Sequence, residues 1–224
     1  MGNRETGVKL AGLYAFARGK EIGAVSRTTE MVIEGFPRSA NTYAYAAFVY
    51  AQRRNVRVAH HVHGAAQVSL AARMNIPVIL LIREPRAAVA SLAIRDKSVT
   101  IAAALDQYVR FYQPVVALRN SVVVAPFDHV IGDFGKVIAQ VNDKFGTCFS
   151  LYEKNPESEQ AIARIIDDMD RKDTSDSLGS ALSVARPTEQ KRREKERLES
   201  EFSRGKVSGA LLDAESLYGM FISG

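Results

Sequence analysis

The stretch "VIEGFPRSANTYAYAAF", residues 32–48, decides how the rest of the chain is read. Its apolar start is a strand signal and its Ala- and Tyr-rich end a helix signal; between them lie a proline, an arginine and small polar residues. A strand that runs through a short loop into a helix makes an anion site. The first helical turn leaves amide N–H groups without partners, and the helix dipole adds about half a positive charge there. Laid on the phosphate-loop template of Gly, four residues, Gly-Lys and then Ser or Thr, "GFPRSANT" keeps Gly35 and Thr42 but has Ala40 for the second glycine and Asn41 for the lysine. The frame of a phosphate loop is there without the lysine that meets a triphosphate, and Arg38 is the cation offered instead. The competing reading is a tight turn capped by Ser39, with Asn41 or Thr42 as the helix N-cap.

Outward from this loop the pattern repeats. "MVIEGF" reads as a strand and Thr42 to Arg53 as a helix; "VRVAHH" is a second strand and Ala65 to Met74 a helix. "IPVILLI" is an uninterrupted apolar run of the kind buried on both faces of a parallel sheet. Helical stretches at about 86–95 and 99–118 follow, then "SVVVAPF" as a fourth strand and 131–145 as a helix. Strands alternating with helices at this spacing predict an α/β three-layer sandwich: a central, mostly parallel sheet of four to five strands with a strand–loop–helix phosphate-binding turn. Ligands in such sheets collect at the carboxyl ends of the strands, which selects the loop after Phe36, the histidines after Ala59 and the arginines after Ile82.

The 224 residues suit one domain: an N-terminal helical extension over 1–30, the α/β core over 31–150 and a helical part over 151–224. No run reaches the ~18 uncharged apolar residues of a membrane span, and the start lacks the pattern of a secretory signal, so the expected compartment is the cytoplasm. Residues 8–22 are weakly amphipathic, a segment that could touch a membrane surface or pad the core. Cys148 is the only cysteine, which leaves no internal disulfide and no cysteine cluster for a metal. A formal charge of +5 and a pI near 9.3 point to anionic ligands.

"GFPRSANTY" resembles the 5'-phosphosulfate loop of the sulfotransferases, whose usual form is Pro, Arg or Lys, Ser, Gly, Thr, Thr. "LIREPRAAVAS", residues 81–91, is similar to that family's second signature, in which an Arg ending a strand and a Ser eight residues later hold the donor's 3'-phosphate. Arg83 and Ser91 stand at that separation, and Arg38 precedes Arg83 by 45 residues. The resemblance covers residues 31 to about 95. Beyond it, "FDHVIGDFGKVIAQVNDKFGT" resembles only the strand-and-helix stretch of bacterial members. It implies a P-loop-like fold, 3'-phosphoadenosine-5'-phosphosulfate (PAPS) as donor, adenosine 3',5'-bisphosphate (PAP) as product and no metal. It assigns donor binding to Pro37, Arg38, Ser39, Ala40, Asn41, Thr42, Arg83 and Ser91.

A donor with two anionic groups calls for two anion sites, expected here as separate grips at either end of an adenosine. Arg83 suits one of them because a guanidinium presents paired N–H donors to a phosphate. The competing reading pairs Arg83 and Arg86 with Glu84 at the surface. Ala40 is the main departure from the family: if its backbone takes a positive φ, the missing glycine costs about 1 kcal/mol or more.

Three of the four histidines, His60, His61 and His63, follow the second strand. A metal site there lacks a third and fourth ligand. A general base is the better use, since imidazole titrates near about 6.5. The family's base is a His in a loop at this point, two residues after a Lys that steadies the leaving oxygen. By position His63 resembles the base and His61 stands where the Lys would be; Arg38 completes the catalytic set. A strand-end histidine satisfied by backbone is the bland reading for His63 and His61, and His60 is expected on the opposite side of the strand end as a structural residue.

The run "PTEQKRREKERLESEF" mixes signs at helical spacing, as a solvated helix face does, and acids interrupt the continuous basic stripe that nucleic acid needs. No nucleic-acid partner is therefore expected. The acceptor class, a small molecule or a glycan, is set in loops that carry no pattern. Two alternatives stay open: a phosphate-loop kinase, for which Asp128 is the one acid placed to help hold Mg²⁺, and a catalytically degenerate nucleotide-binding protein.

Overall fold

The apolar run from Ile76 to Ile82 does become the centre of the molecule. The computed structural model describes residues 23–174, 201–202 and 205–223. In it β3 (Val78–Ile82) is buried along its whole length, as is β1 (Met31–Gly35). With β2 (Val58–His60) and β4 (Val123–Pro126) they form a four-stranded, entirely parallel sheet in the order β2-β1-β3-β4. Register aligns Ile33 with His60, Gly35 with Leu81 and Ile82 with Pro126, so the carboxyl ends of all four strands share one rim.

Alternation along the strands sends Ile33, Ile79 and Leu81 into one core layer, and Val32, Val78, Leu80 and Ile82 into the other. The first layer is closed by α1 (Asn41–Ala51), α6 (Phe134–Phe145) and α7 (Pro156–Thr174), which contributes Ile162. The second is closed by α2 (Ala65–Arg73), α3 (Pro85–Arg95), α4 (Ile101–Tyr112) and α8 (Gly205–Ile222). From α8, Leu211, Ala214, Leu217 and Phe221 join the same cluster as Tyr108 and Tyr112 of α4. Each fully buried side chain of this size stabilises the sandwich by about 1.5–3 kcal/mol.

Two helices differ from the expected ones. The helix expected over 99–118 is α4 only to Tyr112 and continues as a 3-10 segment over Gln113–Ser121, because Pro114 has no N–H to give to the carbonyl four residues back. The helix expected over 131–145 is two: a short α5 (Phe127–Gly132), then α6, whose start is capped by Asp133 accepting the Lys136 N–H at 3.2 Å. Residues 8–22 lie outside the described residues, as does the charged run "PTEQKRREKERLESEF" except for Glu201 and Phe202. No described helix is long and apolar enough to cross a membrane.

Gly35 matters for the site. A Cβ there would stand 2.6 Å from the Leu81 carbonyl oxygen and 2.8 Å from Leu81 Cβ, so only glycine lets β1 lie this close to β3 where the chain leaves the sheet.

Candidate active site

Three helices, α1, α2 and α3, start at the carboxyl rim of the sheet, each from the loop that leaves its own strand. The loop from β1 to α1 is built on left-handed backbone, with φ 72 at Arg38 and 70 at Ala40. Ala40 is itself the N-cap residue and offers no side-chain cap, so the competing reading, a turn capped by Ser39 with Asn41 or Thr42 as N-cap, does not hold. Ser39 and Asn41 are instead buried. The Ser39 N–H donates to the Phe36 carbonyl at 3.2 Å and Asn41 Nδ2 to the same carbonyl at 3.0 Å, so both residues brace the turn from within. Pro37, Arg38, Ala40 and Thr42 are partly exposed and form its outer face. The expected left-handed strain at Ala40 is present. Ala40→Gly is expected to stabilise the fold by about 1 kcal/mol and raise Tm by roughly 2–4 °C in thermal unfolding. An unchanged or lower Tm would mean that the turn is relaxed with alanine.

The two expected grips are one cluster. Arg38 Nε donates to Ser91 Oγ at 3.0 Å, and Arg83 Nη1 donates to the Arg38 carbonyl at 3.0 Å. The two grips therefore adjoin each other at the rim. The cause is the register: β1 and β3 are neighbours, so the loops that leave them meet. Arg83 lies over the Phe127 ring, 3.9 Å from its centroid. Burial lowers its pKa while Asp128 and Glu84 act against that, and a guanidinium remains charged at neutral pH.

The competing reading, ion pairs of Arg83 and Arg86 with Glu84, is not what forms. The Glu84 carboxylate caps α3 by accepting the N–H groups of Arg86 and Ala87, and Arg86 pairs with Glu215 at 3.2 Å. From α4, Tyr108 donates to the Arg83 carbonyl at 2.9 Å and Tyr112 to the Leu81 carbonyl at 2.7 Å. Burial pushes both phenols above their ordinary range, so they stay protonated donors. These braces were missed in the sequence; the signal for them is the i, i+4 pair of tyrosines on a predicted helix.

The histidines lie beside this cluster. His63 Nδ1 stands 2.8 Å from the Gly35 carbonyl oxygen, which can only accept, so Nδ1 carries the proton and Nε2 is the basic atom of the neutral ring. His61 Nε2 is 3.1 Å from Thr42 Oγ1, and its Nδ1 is 2.6 Å from His60 Nδ1, with one proton between the two rings. His60 is not turned away from the site as expected. It stacks on Tyr45 at 3.7 Å and links through His61 to Thr42 at the start of α1, because the short β2 ends at His60 and the chain bends there. Burial, and then the charge of His63, pull His60 down to about 4, so it is neutral.

Both His61 and His63 have left-handed backbone, φ 58 and 52. Beneath them, wholly buried on β1, is Glu34, which the sequence reading passed over as part of a strand. Among the described residues no three His, Cys, Asp or Glu side chains gather as a metal cage.

Comparison with family models and with curated proteins finds no match for the chain. Among solved structures, it is similar to mouse sulfotransferase SULT7A1 complexed with PAP. The match has 13% identity and a TM-score of 0.44, and covers 85% of this chain and 89% of that one. At that level of likeness, the functional reading rests on the chain's own side chains.

Proposed function

We propose that this chain is a sulfotransferase that moves a sulfuryl group from PAPS to a hydroxyl or amine of a small-molecule or glycan acceptor, by in-line transfer without a metal. The observation that carries the reading is the contact of Arg38, Ser91 and Arg83 at the rim, with the His63 ring alongside. The 3' and 5' positions of a nucleotide share one ribose, so a ligand with an anionic group on each needs two cations side by side. Two guanidiniums, the Ser91 and Thr42 hydroxyls and the first-turn amides of α1 are a donor set of that chemistry.

When bound, the donor supplies the sulfuryl group in activated form. Arg38 and the amides at the start of α1 hold the 5' side and stabilise negative charge there, a contribution on the order of 3 kcal/mol for one such group. Arg83 and Ser91 hold the 3'-phosphate, and His63 Nε2 takes the proton of the attacking hydroxyl or amine. His61 keeps Thr42 in place with one ring nitrogen and meets His60 with the other. A kinase reading is disfavoured because Asn41, in the position of the phosphate-loop lysine, is buried and bonded to the Phe36 carbonyl.

Thermal unfolding tests the proposal. Adenosine 3',5'-bisphosphate at about a hundred times its Kd should stabilise the chain by about 2.7 kcal/mol, or roughly 5–10 °C, and ATP and duplex DNA by much less. Stabilisation by ATP and not by the bisphosphate would reject it. A screen of acceptor classes with labelled donor then identifies the acceptor.

A further inference from the structure

A carboxyl group near the carboxyl end of a buried parallel strand calls for an explanation, since valine or isoleucine would pack there without desolvating a charge. The surroundings of Glu34 supply one. Its Oε2 accepts the Val62 N–H at 3.2 Å and its Oε1 the Gly35 N–H at 3.4 Å. Oε1 is also 3.7 Å from His63 Nδ1. Val62 lies between the two left-handed histidines, so the carboxyl group holds the turn that carries His63, while the adjacent Gly35 carbonyl accepts from that ring.

We propose that Glu34 is a positioning residue for His63: it fixes the left-handed turn under the ring and answers, across 3.7 Å, the positive charge that arrives on the imidazole. As a role in turnover this rests on the reading of His63 as base; the coupling of the two groups does not. The proton taken by Nε2 stays on the ring; Glu34 answers its charge in the ionised form, its own carboxyl proton having passed to solvent as pH rises through about 8. The imidazolium favours the ionised carboxyl group and the ionised carboxyl group favours the imidazolium, so the two titrate as a pair.

Among the described residues, the titratable side chain that approaches Glu34 from the loop after β2 is His63, at 3.7 Å. Tyr112 of α4 feels its charge, and β3 offers the apolar Leu80 opposite. Burial pushes Glu34 up to about 8, against the backbone N–H groups of His63, Gly35 and Val62, which pull it down.

The test uses the full chain with labelled Glu and His, followed by NMR from about pH 5 to about pH 9, a range that spans both groups. The Glu34 carboxyl carbon should titrate near 8, and the His63 ring signals should show a second inflection at the same pH. Glu34→Gln should remove that inflection. In the transfer assay it should lower kcat by about tenfold, with the donor KM within about twofold, because the amide cannot take up negative charge. Titration of Glu34 in the ordinary carboxylate range near about 4, or the same single-inflection His63 curve in wild type and Glu34→Gln, would overturn the proposal. If Glu34→Gln does not fold, the wild-type curves decide alone: a shared inflection supports the coupling and its absence ends it. A shared inflection in a protein that transfers no sulfuryl group would leave Glu34 coupled to His63 and remove the transferase reading instead.

Discussion

His63→Ala should lower turnover by about a hundred- to ten-thousand-fold, the usual worth of a positioned general base, while affinity for adenosine 3',5'-bisphosphate stays within about twofold. The split follows from where the ring sits. Its Nδ1 proton is given to the Gly35 carbonyl, so the imidazole is held by backbone in the tautomer whose Nε2 can accept a proton. Losing that hydrogen bond from a partly exposed ring costs about 1 kcal/mol of stability, too little to unfold a domain of this size. Calorimetric titration of the bisphosphate alongside a steady-state assay measures both halves. Turnover near the wild-type value would place the base elsewhere.

The second large effect is on binding. Arg83→Ala should weaken bisphosphate binding by about 2–4 kcal/mol, roughly thirty- to a thousand-fold, because a desolvated, charge-assisted contact is lost. Arg83→Lys should recover only part of this, since an ammonium cannot present the paired donors of the guanidinium lying over Phe127. Arg38→Ala should also weaken binding, and the two losses should not add. Arg83 donates to the carbonyl of Arg38, and residues in contact show coupling of about 0.5–3 kcal/mol in a double-mutant cycle. Strict additivity would mean that the arginines serve different ligands.

How much of this could be read beforehand varied with the range of the interaction. β1, β3 and the loop between β1 and α1 were legible because an apolar run, a glycine and a following Ala-rich helix are local signals. So was the ordering of strands and helices that implied a parallel sheet. The breaks at Pro114 and Asp133 were equally local and were passed over, the first a missing N–H and the second a cap. Glu34 was different. Within "MVIEGF" it reads as one polar residue of a strand, and nothing nearby says that its carboxyl group will meet the amide of Val62, 28 residues later. The tyrosines of α4 were hidden in the same way: Tyr108 and Tyr112 reach carbonyls 25 and 31 residues back.

The sequence by itself determined the alternation of strands and helices, the strand–loop–helix turn at residues 35–42, and which residue types stand at the strand ends, since periodicity, capping chemistry and charge act over a few residues. Only the tertiary structure decided that Arg38, Ser91 and Arg83 form one cluster, that His63 keeps its proton on Nδ1, and that a buried carboxyl group lies under it. Those facts depend on which strands are neighbours and in what register, and that is settled by packing two apolar layers onto one sheet, not by any short run of residues.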